Sequence, residues 1–342
     1  MTRYIPPFLK KIRLAWRERY LVEEIRALDI SEWGIDGDSM PWVRLKDGVI
    51  FYGMLSTPAE KRIYHQVKNK IKNPVLCEDC FGVVMQIISR YRIPRCIPGE
   101  STQYAVRYKP LRDPVNDFDM TAMAKRRVFE FYRPQERQTI VDIGCYMGYG
   151  TLQLARAVGS KGRVIACEAD PCIFKILEKN IQANGLSNVT LVNTAVSDHR
   201  GQATFYRKNA TANSLQKSVL LQRGYNDLEA FPVQVTTLDA LLNELKIDNV
   251  DLVNITVNGS EADVLKGMTQ TATRSPGMKI TLAGWYRLED GKKVKDHVQP
   301  WLKQKGFAVI VGKRGRVLAW KEAPFTVASL YKTKKTSQVI AR

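Results

Sequence analysis

Asp142 and Glu168 stand at the ends of two short apolar runs, and two glycines, Gly144 and Gly148, follow the first of them. Thr139-Ile140-Val141-Asp142-Ile143 reads as a buried strand, and Gly144-Cys145-Tyr146-Met147-Gly148-Tyr149-Gly150 as a tight loop opening a helix. Glycines there let the backbone turn sharply and approach a ligand without a Cβ in the way. Arg163-Val164-Ile165-Ala166-Cys167 forms the next strand and ends at Glu168. A carboxylate about 20 residues past such a loop is placed to bond ribose hydroxyls. The chemistry is nucleotide binding. The spacing is Asp-x-Gly-x-x-x-Gly, with Tyr146 where a dinucleotide fold needs its middle glycine. A pyrophosphate demands close backbone approach at that point, whereas a sulfonium nucleotide carries no phosphate and tolerates a side chain. Asp142 also suits a cationic ligand. These residues point to S-adenosylmethionine and away from NAD.

The elements that position these residues alternate strand and helix from 118 to 312, the pattern of an α/β sheet with helices on both faces. Helix 118–132 leads to strand 138–143, helix 149–158, strand 163–168, helix 171–184 and strand 189–194. A short pair, 202–206 and 233–236, precedes helix 238–245, strand 250–256, helix 260–272, strand 278–284, helix 294–305 and strand 307–312. Before them lies a smaller α+β region, residues 1–114. It has an amphipathic helix over 6–28 carrying Lys10, Lys11, Arg13, Arg17 and Arg19. A hairpin, 42–45 and 49–52, turns at Asp47-Gly48, and helical runs lie near 58–72 and 80–91. The nucleotide domain is read as 115–312, and 313–342 as a basic tail with eight Lys or Arg against Glu322.

The quoted loop resembles the first motif of FkbM-type methyltransferases. Val164 to Pro171, Asn180 to Asn184, Asn193-Thr194-Ala195-Val196-Ser197, Thr236 to Asp239, and Glu261 to Gly267 continue the likeness in order. The resemblance implies a class I methyltransferase fold, S-adenosylmethionine as cofactor, and methyl transfer to an oxygen. It places Asp142, Gly144 and Gly148 along the methionine half of the cofactor, with Tyr146 inside the same loop. It places Glu168 on the ribose, and Ala195 and Val196 near the adenine.

The fourth strand departs from that pattern. Where the family reads Lys-Ile-Asp-Val-Glu-Gly-x-Glu, this chain has Asn254-Ile255-Thr256-Val257-Asn258-Gly259-Ser260-Glu261. Strand ends face the ligand in an open α/β sheet, and an attacking alcohol must lose a proton. Three readings stay open: Asn254 and Asn258 orient an acceptor that needs little base help; Glu261 takes the proton; or the domain binds cofactor without turnover. Glu261 also suits the first turn of a helix electrostatically. His199 and His297 are further candidates, more in keeping with surface positions.

The formal charge of +19 favours anionic partners: nucleic acid, an anionic membrane surface, or acidic glycans. The expected acceptor is a polar or anionic one, a glycan or glycolipid hydroxyl. The alternative is a non-catalytic methyltransferase-like module that binds nucleic acid, a membrane surface or protein. No apolar run is long enough to span a membrane and the start lacks an apolar leader core, so the expected location is cytoplasmic, with basic termini able to reach a membrane surface. Cys77 and Cys80, with Cys96 and His65, could supply zinc ligands, but the spacing is irregular and ordinary thiols are the simpler reading, so no metal is assigned. No Walker loop, His-Glu-x-x-His or nucleophile elbow is present.

Overall fold

Leu252–Ile255 is buried at every residue, and Thr139–Ile143 and Lys279–Ala283 at four of five. Strands buried on both faces have to be covered on both faces, which is the condition of a parallel sheet. The computed structural model describes residues 21–26, 28–71, 77–90, 134–312 and 315–321. The chain divides into two compact units, Met1–Arg127 with Tyr146–Gln153 and Cys172–Ser187, and Val128–Cys145 with Leu154–Pro171 and Asn188–Arg342.

The described elements run β1 (Ile30–Ile35), β2 (Pro41–Leu45), β3 (Ile50–Tyr52), α1 (Pro58–Val67), α2 (Phe81–Arg90), β4 (Thr139–Ile143), α3 (Tyr149–Val158), β5 (Arg163–Cys167), α4 (Pro171–Ala183) and β6 (Val189–Val192). They continue with β7 (Ala195–Val196), β8 (Gly201–Asn209), β9 (Ala212–Ser214), α5 (Lys217–Gln222), β10 (Glu229–Thr236), α6 (Leu238–Glu244), β11 (Leu252–Ile255) and α7 (Glu261–Lys266). Last come α8 (Thr269–Arg274), β12 (Lys279–Ala283), α9 (Val294–Gln304), β13 (Ala308–Val311) and β14 (Arg316–Trp320).

In the first unit, β2 and β3 form the expected hairpin, and β1 adds a third antiparallel strand that the sequence reading did not include. Helix α1 starts at a reciprocal cap. Thr57 Oγ1 accepts from the Glu60 N–H and the Glu60 carboxylate accepts from the Thr57 N–H. Two asparagines one helical turn apart serve as a surrogate strand for β3. Asn180 accepts from the Tyr52 N–H at 2.7 Å and donates to the Tyr52 carbonyl at 3.0 Å. Asn184 does the same for Ile50, at 3.2 and 2.7 Å. An amide side chain carries one acceptor and two donors, so it reproduces the ladder bonds that an edge strand otherwise leaves open.

In the second unit, the seven-stranded sheet has the order β13-β14-β12-β11-β4-β5-β6. Strands β12, β11, β4, β5 and β6 pair in parallel, and β14 runs antiparallel between β12 and β13. Numbered within this sheet, the order is 3-2-1-4-5-7-6, the class I methyltransferase arrangement. Val141, Ile165, Val253, Ile280, Val298 and Leu302 lie in its core. Burying each such side chain contributes about 1.5–3 kcal/mol. The expected pair at 202–206 and 233–236 is present as the antiparallel β8–β10 ladder, within a separate sheet of order β7-β10-β8-β9.

Two expectations need correction. The chain does not leave the fold at 312: β14 inserts Arg316–Trp320 between two strands, bonded on both edges. Its flanking cations made the segment look like a solvated tail, but pairing in a sheet depends on backbone groups that charge does not report. The helix expected over 260–272 is two helices, α7 and α8. At Gly267 a Cβ would lie 1.9 Å from the Ser197 carbonyl, and the Asp239 carboxylate restarts the helix by accepting from the Gln270 and Thr271 N–H groups at 2.9 and 2.7 Å. The expected helix 6–28 (beyond its helical end at 21–26), helix 118–132, the boundary near 114, Cys96 and the tail past 321 lie outside the described residues. Among the described residues no helix is long and apolar enough to cross a membrane.

Gly267→Ala is expected to destabilise the protein by about 2 kcal/mol or more, because the obstruction is backbone. An unchanged urea midpoint relative to wild type would contradict the packing described.

Candidate cofactor and acceptor site

Asp142, Asn254 and Thr281 are register partners on three adjacent parallel strands, β4, β11 and β12, so their side chains share one face of the sheet. Such a row of polar groups inside an apolar sheet has to be satisfied internally. Asn254 Nδ2 donates to Asp142 Oδ1 at 2.7 Å. Arg316 reaches back from β14, donating from Nη2 to Asn254 Oδ1 at 2.8 Å and from Nε to Thr281 Oγ1 at 2.8 Å. Asp142 and Arg316 are each 1% exposed. Arg316 and Thr281 escaped the sequence reading. Arg316 was counted with the tail, and the signal that could have found it is the short Arg-Val-Leu-Ala-Trp run after Gly315.

Glu168 follows β5, the strand next to β4, and is buried. One carboxylate oxygen accepts from the Asp170 N–H at 3.0 Å, and the Glu168 carbonyl accepts from Asn193 Nδ2 at 2.8 Å. That bond ties the segment entering β7 to the end of β5. Ala195 and Val196 form β7, both buried, in register with Val235 and Thr236 of β10.

The loop after β4 begins with Gly144 and Cys145 donating to the Cys167 carbonyl at 2.9 and 3.2 Å. Gly144 has φ +69°, and a Cβ there would lie 2.1 Å from the Thr256 carbonyl, so the glycine is required by the chain following β11 whatever ligand approaches. Tyr146 holds φ +59°, a left-handed conformation that is costly for an aromatic residue. Gly148 lies at φ +81° with Leu177 packed against its α-carbon side. The loop carries no Lys or Arg. Two carboxylates at adjacent strand ends and a loop without cations fit a cationic, phosphate-free nucleoside such as S-adenosylmethionine.

The turn from β11 to α7 holds the remaining candidates. Glu261 is fully buried and both its oxygens are engaged, accepting from the Val257 N–H at 3.1 Å and the Gly259 N–H at 2.9 Å. Desolvation pushes its carboxyl up to about 7, against those backbone bonds and the Arg316 charge, which favour the ionised form. Asn258, at φ +56°, donates Nδ2 to the Asn213 carbonyl at 2.7 Å and accepts from the Tyr286 hydroxyl at 2.5 Å. The structure therefore joins Asn254 to Asp142 and sets Asn258 in a second group with Asn213 and Tyr286. Neither Asn213 nor Tyr286 was flagged by sequence, because their partners lie 45 and 28 residues away.

His199 pairs with its exposed neighbour Asp198 at 2.8 Å, and His297 lies 3.0 Å from Asp290. Cys80 donates to the Gly34 carbonyl and its thiol is pushed up by burial, while its N–H donates to Cys77 Sγ. Among the described residues no group of three or more His, Cys, Asp or Glu is arranged for a metal ion.

Comparison with known proteins bears on this geometry. Residues 142–309 match the methyltransferase FkbM domain. The chain is 26% identical over 147 residues to the 2-O-methyltransferase NoeI of Sinorhizobium fredii, covering 40% of this chain and 59% of that protein. It is 38% identical over 77 residues to a Schizosaccharomyces pombe protein provisionally named a ribosomal RNA methyltransferase, covering 22% of this chain and 26% of that protein. The chain thus spans well under two thirds of the length of either relative. Among solved structures, Aeropyrum pernix fibrillarin with natively bound S-adenosylmethionine aligns at a TM-score of 0.39 and 11% identity, covering 86% of this chain and 99% of that one.

Glu261 makes stability depend on pH. Between pH 4.5 and about 7 the unfolded chain has released this proton and the folded chain retains it. Stability from this group is therefore complete below 4.5 and falls, by about 3 kcal/mol in all, as pH rises through 7. Glu261→Gln removes that slope, so the variant's deficit in urea unfolding is expected to be smaller at pH 7.5 than at pH 5. Equal deficits at the two pH values would contradict the assignment.

Proposed function

We propose that this domain binds S-adenosylmethionine and directs methyl transfer to an oxygen of a polar acceptor, a glycan or glycolipid hydroxyl. The observation that carries the reading is the pair of buried carboxylates, Asp142 and Glu168, ending adjacent strands within the FkbM-matching stretch. Asp142 takes the cationic amino-acid end of the cofactor. Gly144, Tyr146 and Gly148 shape the loop along its methionine half, Glu168 holds the ribose hydroxyls, and Ala195 and Val196 line the adenine. When bound, the cofactor supplies an electrophilic methyl group on sulfur. The protein contributes mainly alignment of an oxygen with that methyl. Among the catalytic candidates, Glu261 has the pKa suited to proton exchange near neutrality, and Asn254 and Asn258 have the amides to orient an acceptor. Transfer to oxygen is supported by the name of the NoeI relative.

A second reading, a cofactor-binding module without turnover, is favoured by one observation. The amides of Asn254 and Asn258 already serve Asp142, Arg316, Asn213 and Tyr286. The net charge of +19 makes RNA or an anionic membrane its natural partner.

Calorimetry with S-adenosylmethionine is expected to show binding to wild type and a loss of about tenfold or more in Asp142→Ala, the size of a lost charge-assisted hydrogen bond. Wild type that binds no cofactor would sink both readings. Release of S-adenosylhomocysteine on adding sugar glycosides favours the enzyme; cofactor binding without release on glycosides or RNA favours the module.

A further inference from the structure

We propose that Arg316 is a positioning residue for the cofactor: through the Asn254 amide, its guanidinium holds the Asp142 carboxylate aimed at the cofactor's ammonium group. The inference rests on the cofactor reading above and adds to it a residue from outside every motif that carries that reading.

The geometry is directional. A guanidinium only donates and an ionised carboxylate only accepts. Arg316 Nη2 donates to Asn254 Oδ1, so the other half of the same amide, Nδ2, faces Asp142 and donates to it. The orientation of Asn254 is thereby set by its neighbours. Arg316 is in turn held by Thr281 through Nε. The result is a cation and an anion linked by one amide across β4, β11, β12 and β14, with both ends buried. A buried carboxylate without such compensation would neutralise itself.

The FkbM pattern carries a lysine where this chain has Asn254. Here a positive charge reaches Asn254 from β14, two strands away. The other ionisable groups facing the row are Glu261 from α7, which feels the Arg316 charge, and Cys167 from β5, whose thiol is raised by burial and by Asp142 and Glu168.

The test is calorimetric titration of the full chain with S-adenosylhomocysteine at pH 7. The proteins are wild type, Arg316→Met, Asn254→Ala and the double variant Asn254→Lys/Arg316→Met. Arg316→Met and Asn254→Ala are each expected to weaken binding about tenfold. The double variant, which sets a cation directly beside Asp142, is expected to return to within about threefold of wild type. A merely structural role would not give that return. Unaltered binding in both single variants overturns the inference, as does a folded double variant no better than Arg316→Met. If Arg316→Met fails to fold by circular dichroism, Asn254→Ala decides alone, since it breaks the bridge and leaves both charges. Absence of binding by wild type overturns the cofactor reading itself, and this inference with it.

Discussion

A charged row crosses the interior of the seven-stranded sheet, and the arrangement of the candidate site follows from the need to satisfy it. Asp142, Asn254, Thr281 and Arg316 are buried where water cannot serve them, so each depends on the next. Leaving a buried hydrogen-bonding group without its partner costs roughly 1–3 kcal/mol, which ties the registers of β4, β11, β12 and β14 to one another. A slip of one residue would turn every member of the row to the opposite face. The antiparallel insertion of β14 is what brings Arg316 within reach, opposite Ala283 and leaning toward Thr281.

The turn after β11 is held with similar economy. Its carbonyl at Thr256 occupies the space beside Gly144, so the loop after β4 and the chain after β11 limit each other's conformation. Glu261 gathers the Val257 and Gly259 N–H groups, and Asn258 ties the turn to Asn213 and Tyr286. Asn258 thus stands in this turn as a neutral amide within an internal network. Desolvation pushes the buried Glu261 carboxyl up to about 7.

Much of this was legible in the residues. The apolar runs at 139–143, 163–167 and 279–283, the glycine loop and the acid at Glu168 declare themselves through local period and spacing, and the structure holds them as strands and strand ends. The third strand of the first unit was not visible, because Ile30–Ile35 buries only its first residue and alternation is faint. The break between α7 and α8 was not visible either, since it is imposed by the distant Ser197 carbonyl.

The sequence by itself determined the class of sheet, the glycine loop and the acids Asp142 and Glu168 at the ends of neighbouring strands, since each depends on residues within about 30 positions of one another. Tertiary structure alone decided what stands around Asp142. Asn254 comes to it from 112 residues away and Arg316 joins from a further 62. No local pattern encodes those pairings; they exist because strand order and register bring the groups together inside a medium that leaves no buried charge unpartnered.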